Sequence, residues 1–276
     1  MSSTRIQLLT IEALESRCLP AGTVTVLRTG GLVRLIGDGA ENKIVVTATG
    51  PNTIALRGEE GTSIVGPTRL RGVSRVYLEL RDGNDHAVIE SRRPFQGQVI
   101  VSLGTGNDTL YVGSGRYNGT VIVADEQGDD TVYLFGGQFY GDVVVNTGSG
   151  NDAVHGFASQ FYRRWQLNTD GGNDIVSIAG CQATGPLSGA LGVGNDELHI
   201  GLSGLRSSVR LDMGDGNDRV NLVFTGFAME GEGAQFIGGT GVDIIEMTGV
   251  FGMVSTQGFE REIGSPFPPL PGPQNR

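Results

Sequence analysis

The sequence predicts an all-β fold, a right-handed parallel β-solenoid (β-roll-like or β-helix-like) with about 22 residues per coil. Three regularities predict it. Aspartates recur at Asp85, Asp108, Asp130, Asp152, Asp174, Asp196, Asp218 and Asp243, at intervals of 23, 22, 22, 22, 22, 22 and 25. A glycine stands two positions before each of them, at Gly83, Gly106, Gly128, Gly150, Gly172, Gly194, Gly216 and Gly241. Apolar residues keep the same register on both sides of the aspartate. Repetition at such a period marks stacked units that cannot bury a core alone.

The apolar positions define the elements of each unit. Two and four places after the aspartate come Leu110 and Val112, Val132 and Leu134, Val176 and Ile178, Leu198 and Ile200, and Val220 and Leu222. This is the alternation of a strand with one buried face. Nine and seven places before it come Val76 and Leu78, Val99 and Val101, Val121 and Val123, Val143 and Val145, Trp165 and Leu167, and Val209 and Leu211, which imply a second strand. Two short strands joined by Gly-rich turns have too little apolar surface to fold alone. Stacking pairs equivalent strands coil to coil and merges the inward Val, Leu and Ile side chains into one core.

Residues 23–262 form this predicted domain, about ten coils in all. Its beginning is irregular. Asn42, followed by Ile44 and Val46, lies 43 residues before Asp85, close to two coils, and the signature hardly shows around Glu59, Glu60 and Gly61. Atypical terminal repeats of this kind serve as caps. The last interval of 25 places an insertion near Glu230 to Ala234, and residues 263–276 read as a Pro-rich disordered tail.

Composition narrows the partners. Twenty basic against 30 acidic residues leave a net charge of −10, which argues against nucleic acid and favours cations. Cys18 and Cys181 suggest neither a disulfide framework nor a zinc site. No apolar run approaches the ~20 residues of a membrane-spanning helix, so no transmembrane segment is expected.

The recurring turn reads Gly-Thr-Gly-Asn-Asp-Thr-Leu at 104–110, Gly-Ser-Gly-Asn-Asp-Ala-Val at 148–154, Gly-Val-Gly-Asn-Asp-Glu-Leu at 192–198 and Gly-Asp-Gly-Asn-Asp-Arg-Val at 214–220. Here the chain resembles the haemolysin-type, repeats-in-toxin (RTX) calcium-binding proteins, whose G-G-x-G-x-D-x-U-x repeat binds calcium on a parallel β-roll. It departs from that pattern in three ways. The first family glycine is replaced, as by Leu103, Thr147, Leu191 and Met213, and the second is lost at Arg81, Glu126 and Asp170. The third departure is that one motif occupies each coil where the family has two.

The resemblance implies calcium, with the eight aspartates as ligands alongside the turn glycines Gly83, Gly104, Gly106, Gly128, Gly148, Gly150, Gly172, Gly192, Gly194, Gly214, Gly216 and Gly241. The chemistry agrees, because calcium takes six to eight oxygens, from carboxylates and carbonyls, at roughly 2.3–2.6 Å. One turn supplies about half such a shell, so the expected sites lie between aspartates of consecutive coils. Carboxylates stacked ~5 Å apart repel, and a divalent ion removes that strain. Asp82, Asp125, Glu126, Asp129, Asp170 and Asp215 are expected to be auxiliary, solvated oxygens. The alternative is turn chemistry without metal, since Asn and Asp suit turns through their own hydrogen bonds.

At the N-terminus, Glu12, Leu14, Glu15, Arg17 and Leu19 match the pattern of the LEPR-XLL segment of bacterial exported proteins, with Ile11 and Pro20 as departures. The resemblance implies that residues 1–22 direct a bacterial protein to secretion or the cell surface.

Enzyme signatures are lacking: no nucleophile elbow, phosphate loop or basic patch is legible, and no catalytic residue is assigned. His155 and His199 share an outward column with Tyr111 and Tyr133, two coils apart from each other, too far to share one zinc ion. That column could meet a glycan or a surface protein, and Tyr111 is expected to stack on Tyr133. The expected function is therefore a secreted or cell-surface calcium-binding solenoid, acting as a structural or interaction module. Its alternatives are a metal-independent adhesin-like or glycan-binding solenoid and a β-helix polysaccharide-active enzyme.

Overall fold

The structure, a computed structural model, describes residues 22–228 and 233–264. The export-like segment before Gly22, most of the 230–234 insertion and nearly all of the Pro-rich tail lie outside the described residues. Among the described residues there is no helix, and the chain winds into a parallel β-solenoid of about eight turns with ~22 residues each.

Two sheets run the length of the stack. Val99, Val121, Val143 and Trp165 succeed one another in the first. Leu110, Val132, Val154 and Val176 do so in the second. The register is the expected one, and these side chains are buried in one continuous core. Full burial of each contributes on the order of 1.5–3 kcal/mol.

Each turn also holds a third, shorter face that the strand count of two left out. Its column runs Phe95, Tyr117, Phe139, Phe161, Ala183, Leu205 and Phe227. The rings of Tyr117 and Phe139 stack at 5.2 Å, and those of Phe139 and Phe161 at 5.1 Å. The ladder then changes hands. Phe161 stacks on Trp165 at 3.8 Å, and Ala183 takes the next place in the column. The indole needs room, and Gly156 provides it: a Cβ there would lie 2.6 Å from the Trp165 ring. This accounts for a glycine in the core column that otherwise reads Val112, Leu134, Ile178 and Ile200.

The N-terminal end is built differently. After β1 (Thr23–Thr29) and β2 (Leu32–Ile36) pair antiparallel, β3 (Lys43–Gly50) pairs antiparallel with β4 (Thr53–Gly58). β5 (Ser63–Val65) then adds to β1, and β6 (Arg69–Arg71) to β4. Strands β2 and β3 nevertheless stack in parallel on β7 (Arg75–Glu79) and β8 (His86–Ser91), so they make one true coil. The 43 residues from Asn42 to Asp85 are thus one coil with a folded-back excursion, where the sequence suggested two coils. The solenoid therefore has about eight turns, where the sequence predicted about ten.

Candidate metal centre

All eight aspartates fall in one column at one edge of the solenoid, and each is at most 2% exposed. Their order comes from a hydrogen-bond ladder. The amide N–H of Asp85 donates to Oδ1 of Asp108 (2.6 Å), that of Asp108 to Asp130 (2.8 Å), and so on through Asp152, Asp174, Asp196, Asp218 and Asp243. Two residues outside the aspartate series terminate it. Asn42 donates its amide to Asp85 at the first rung, and Glu260 accepts the amide of Asp243 at the last. Glu260 carried no sequence signal, because its 17-residue spacing from Asp243 breaks the period.

One oxygen of each carboxylate is thereby used. The other, Oδ2, is buried and has no hydrogen-bond partner in all eight. A buried polar atom left unpaired costs roughly 1–3 kcal/mol, more if charged. Burial accordingly pushes every carboxyl in the column up: Asp85, Asp130 and Asp196 to about 7, Asp108, Asp174 and Asp218 to about 6, with Asp152 and Asp243 also raised.

A ninth carboxylate joins the column at one place. Asp125, expected to be solvated, is half-buried, and its Oδ2 is enclosed and unpartnered. Its Oδ1 accepts the amides of Gly104 (2.8 Å) and Glu126 (3.1 Å). Burial first, then the charge of Asp130, push its pKa to about 8. Oxygens of Asp108, Asp125 and Asp130 lie within 4.8 Å of one another, so this cluster can hold a metal ion. The reason for the exception is the position five before the aspartate. It holds buried Leu80, Leu103, Leu191 or Met213 in four coils, buried Thr147 and Thr169 in two more, Gly238 in the last, and an aspartate only at Asp125.

The turn glycines have a packing reason of their own. The second glycine of each turn has positive φ, and from Gly106 on a Cβ there would run into the carbonyl oxygen of the equivalent glycine one coil earlier, as Gly106 on Gly83 and Gly194 on Gly172. Any side chain would enter that oxygen. The first-glycine carbonyl accepts the amide of the following residue one coil on, as Arg81 from Thr105 (2.7 Å) and Gly214 from Thr240 (3.0 Å). Arg81 and Asp170 adopt the same left-handed conformation at glycine-replaced positions, at φ 78 and φ 59. The asparagines form an outer ladder of opposite polarity, in which Oδ1 of one accepts the amide of the next coil, as Asn151 from Asn173 and Asn173 from Asn195.

The outward column lies where expected. Tyr111 stacks on Tyr133 at 4.4 Å and Tyr133 on His155 at 5.0 Å, while Ser177 separates His155 from His199. Asp82, Glu126, Asp129, Asp170 and Asp215 are exposed. No protein family, curated protein or solved structure matches this chain, so the geometry carries the functional reading.

Proposed function

We propose that this protein is a calcium-binding β-solenoid, exported from its cell, that works as a structural or interaction module. The observation that carries the reading is the enclosed trio Asp108, Asp125 and Asp130, each with an unpartnered oxygen. All of its donors are carboxylate oxygens, which suit calcium or magnesium and not zinc or copper. Calcium's tolerance of irregular shells favours it over magnesium, which demands an octahedron. An ion there offsets three buried negative charges and ties consecutive coils together. The further gaps along the column offer weaker sites, each with two carboxylate oxygens.

A second reading rests on the ladder itself. Its N–H to Oδ1 bonds run unbroken from Asn42 to Glu260, and carboxyls with raised pKa values can carry a proton on Oδ2 in place of an ion. On this reading the solenoid is a metal-independent scaffold.

Calorimetric calcium titration, with thermal melts in calcium and in chelator, separates the two. The calcium reading expects binding heat and a rise in melting temperature, since an ion binding only the folded array stabilises it by about 2.7 kcal/mol at a hundredfold excess over its dissociation constant. Asp152→Ala should lower stoichiometry more than Asp243→Ala, which lies at the end of the array. An identical melt with and without chelator, with no heat at millimolar calcium, would leave the metal-free scaffold.

A further inference from the structure

The net charge of −10 conceals a local reversal. On the outer face of the second sheet, at its N-terminal end, a groove of about 780 Å³ is lined by Arg57 of β4, Arg69 and Arg71 of β6, and Arg92 just after β8. The sequence showed no basic patch because these residues are dispersed over 36 positions (57 to 92). The antiparallel excursion gathers them: Thr53 faces Arg71 and Ala55 faces Arg69 across the β4–β6 pair. Alternate residues of a strand share a face, which puts Arg69 and Arg71 side by side at about 7 Å.

Two of these arginines are committed. Arg57 pairs with Glu59 at 2.7 Å and Arg92 with Glu90 at 3.1 Å. Arg69 and Arg71 are exposed and have no acidic partner among the described residues, and no acidic side chain lines the groove. Between the arginines stand hydroxyls, including those of Thr49 and Thr53, which both donate and accept. No aromatic ring lines the groove, so it offers no stacking platform for nucleobases and no aromatic anchor for a protein partner. The volume falls in the range of ligand clefts.

We infer that this groove binds an acidic polysaccharide, with uronate carboxylates held by the guanidinium forks of Arg69 and Arg71 and sugar hydroxyls met by the threonines. Charge complementarity selects the partner. Guanidinium pairs with carboxylate in two parallel hydrogen bonds, and alternating hydroxyl and cationic groups fit a chain that alternates hydroxyls with carboxylates. This inference does not rest on calcium, whose candidate ligands line a different part of the molecule.

The test is calorimetry of the full chain with short oligogalacturonates at low ionic strength and a fixed calcium concentration, with neutral dextran as control. Binding is expected for oligogalacturonate only and should weaken as salt rises. The double variant Arg69→Gln/Arg71→Gln should bind at least about tenfold more weakly with an unchanged melting curve. Arg163→Gln/Arg206→Gln, which removes the same charge from exposed sites elsewhere, should stay within about twofold. Absence of binding, equal loss in both double variants, or equally tight binding of poly-L-glutamate or single-stranded DNA would overturn the inference.

Discussion

The rung joining Asp108 to Asp130 and the rung joining Asp174 to Asp196 have the same ladder bond, 2.8 Å in each. Both carry a positive-φ glycine stacked on the glycine below. They differ in the inward residue five places before the upper aspartate, which is Asp125 in one and Leu191 in the other. The difference teaches that the ladder belongs to the coil geometry, while the capacity to gather three carboxylates is a local substitution placed on it. Repetition builds the edge, and one departure from repetition makes the strongest candidate site.

The largest effect should fall on what the two rungs share. Gly128→Ala and Gly194→Ala each force a side chain into a carbonyl oxygen at positive φ and should cost about 3 kcal/mol or more in chemical unfolding. Equal losses at the two rungs would confirm that the glycines serve packing irrespective of Asp125.

Removing an acceptor should distinguish the rungs. Asp196→Ala leaves the amide of Asp174 buried without a partner, costing about 1–3 kcal/mol. Asp130→Ala orphans the amide of Asp108 in the same way but also relieves the repulsion on Asp125, so in chelator it should cost less than Asp196→Ala. In calcium the order should invert. Unfolding curves for both variants with and without the ion check this.

The pH profile follows from the direction of the shifts. Folded Asp108, Asp130 and Asp125 sit at about 6, 7 and 8, above the unfolded value near 3.9. Their contribution to stability is complete below the unfolded value and is lost as pH rises through 6 to 8. Metal-free protein should therefore melt higher at pH 5 than at pH 8.5, and calcium, which favours the ionised form, should reduce or reverse that slope. Asp125→Asn keeps an acceptor for Gly104 and removes the charge. It should flatten the slope up to about pH 8, raise metal-free stability there, and diminish calcium binding.

The smallest effect belongs to the outer ladder. Asn195→Ala, on an exposed edge, should cost under about 1 kcal/mol at neutral pH with or without calcium.

Much of this was legible because a parallel stack turns a period in sequence into a column in space. The positions of Val99, Leu110 and Asp108 relative to their repeats sufficed to assign strands, register and the edge that gathers the aspartates. The third face left a trace too, in Phe95, Tyr117, Phe139 and Phe161 at a constant interval of 22, but its separate strands, from Gln160–Phe161 on, are only two residues long and give no alternation. Asn42 and Glu260 were not legible as ladder ends, since a terminator stands where the period fails.

The sequence by itself determined the solenoid, its coil length, its buried faces and the alignment of eight aspartates, because each of these follows from periodicity alone. Only the tertiary structure decided that the aspartates point inward, that each uses one oxygen on the coil before it and leaves the other unpaired, and that Asp125 joins two of them. It also decided that β4 and β6 fold back to gather arginines from distant positions. Side-chain direction at a turn and the path of a non-repeating excursion depend on contacts between coils, and no spacing along one chain encodes them.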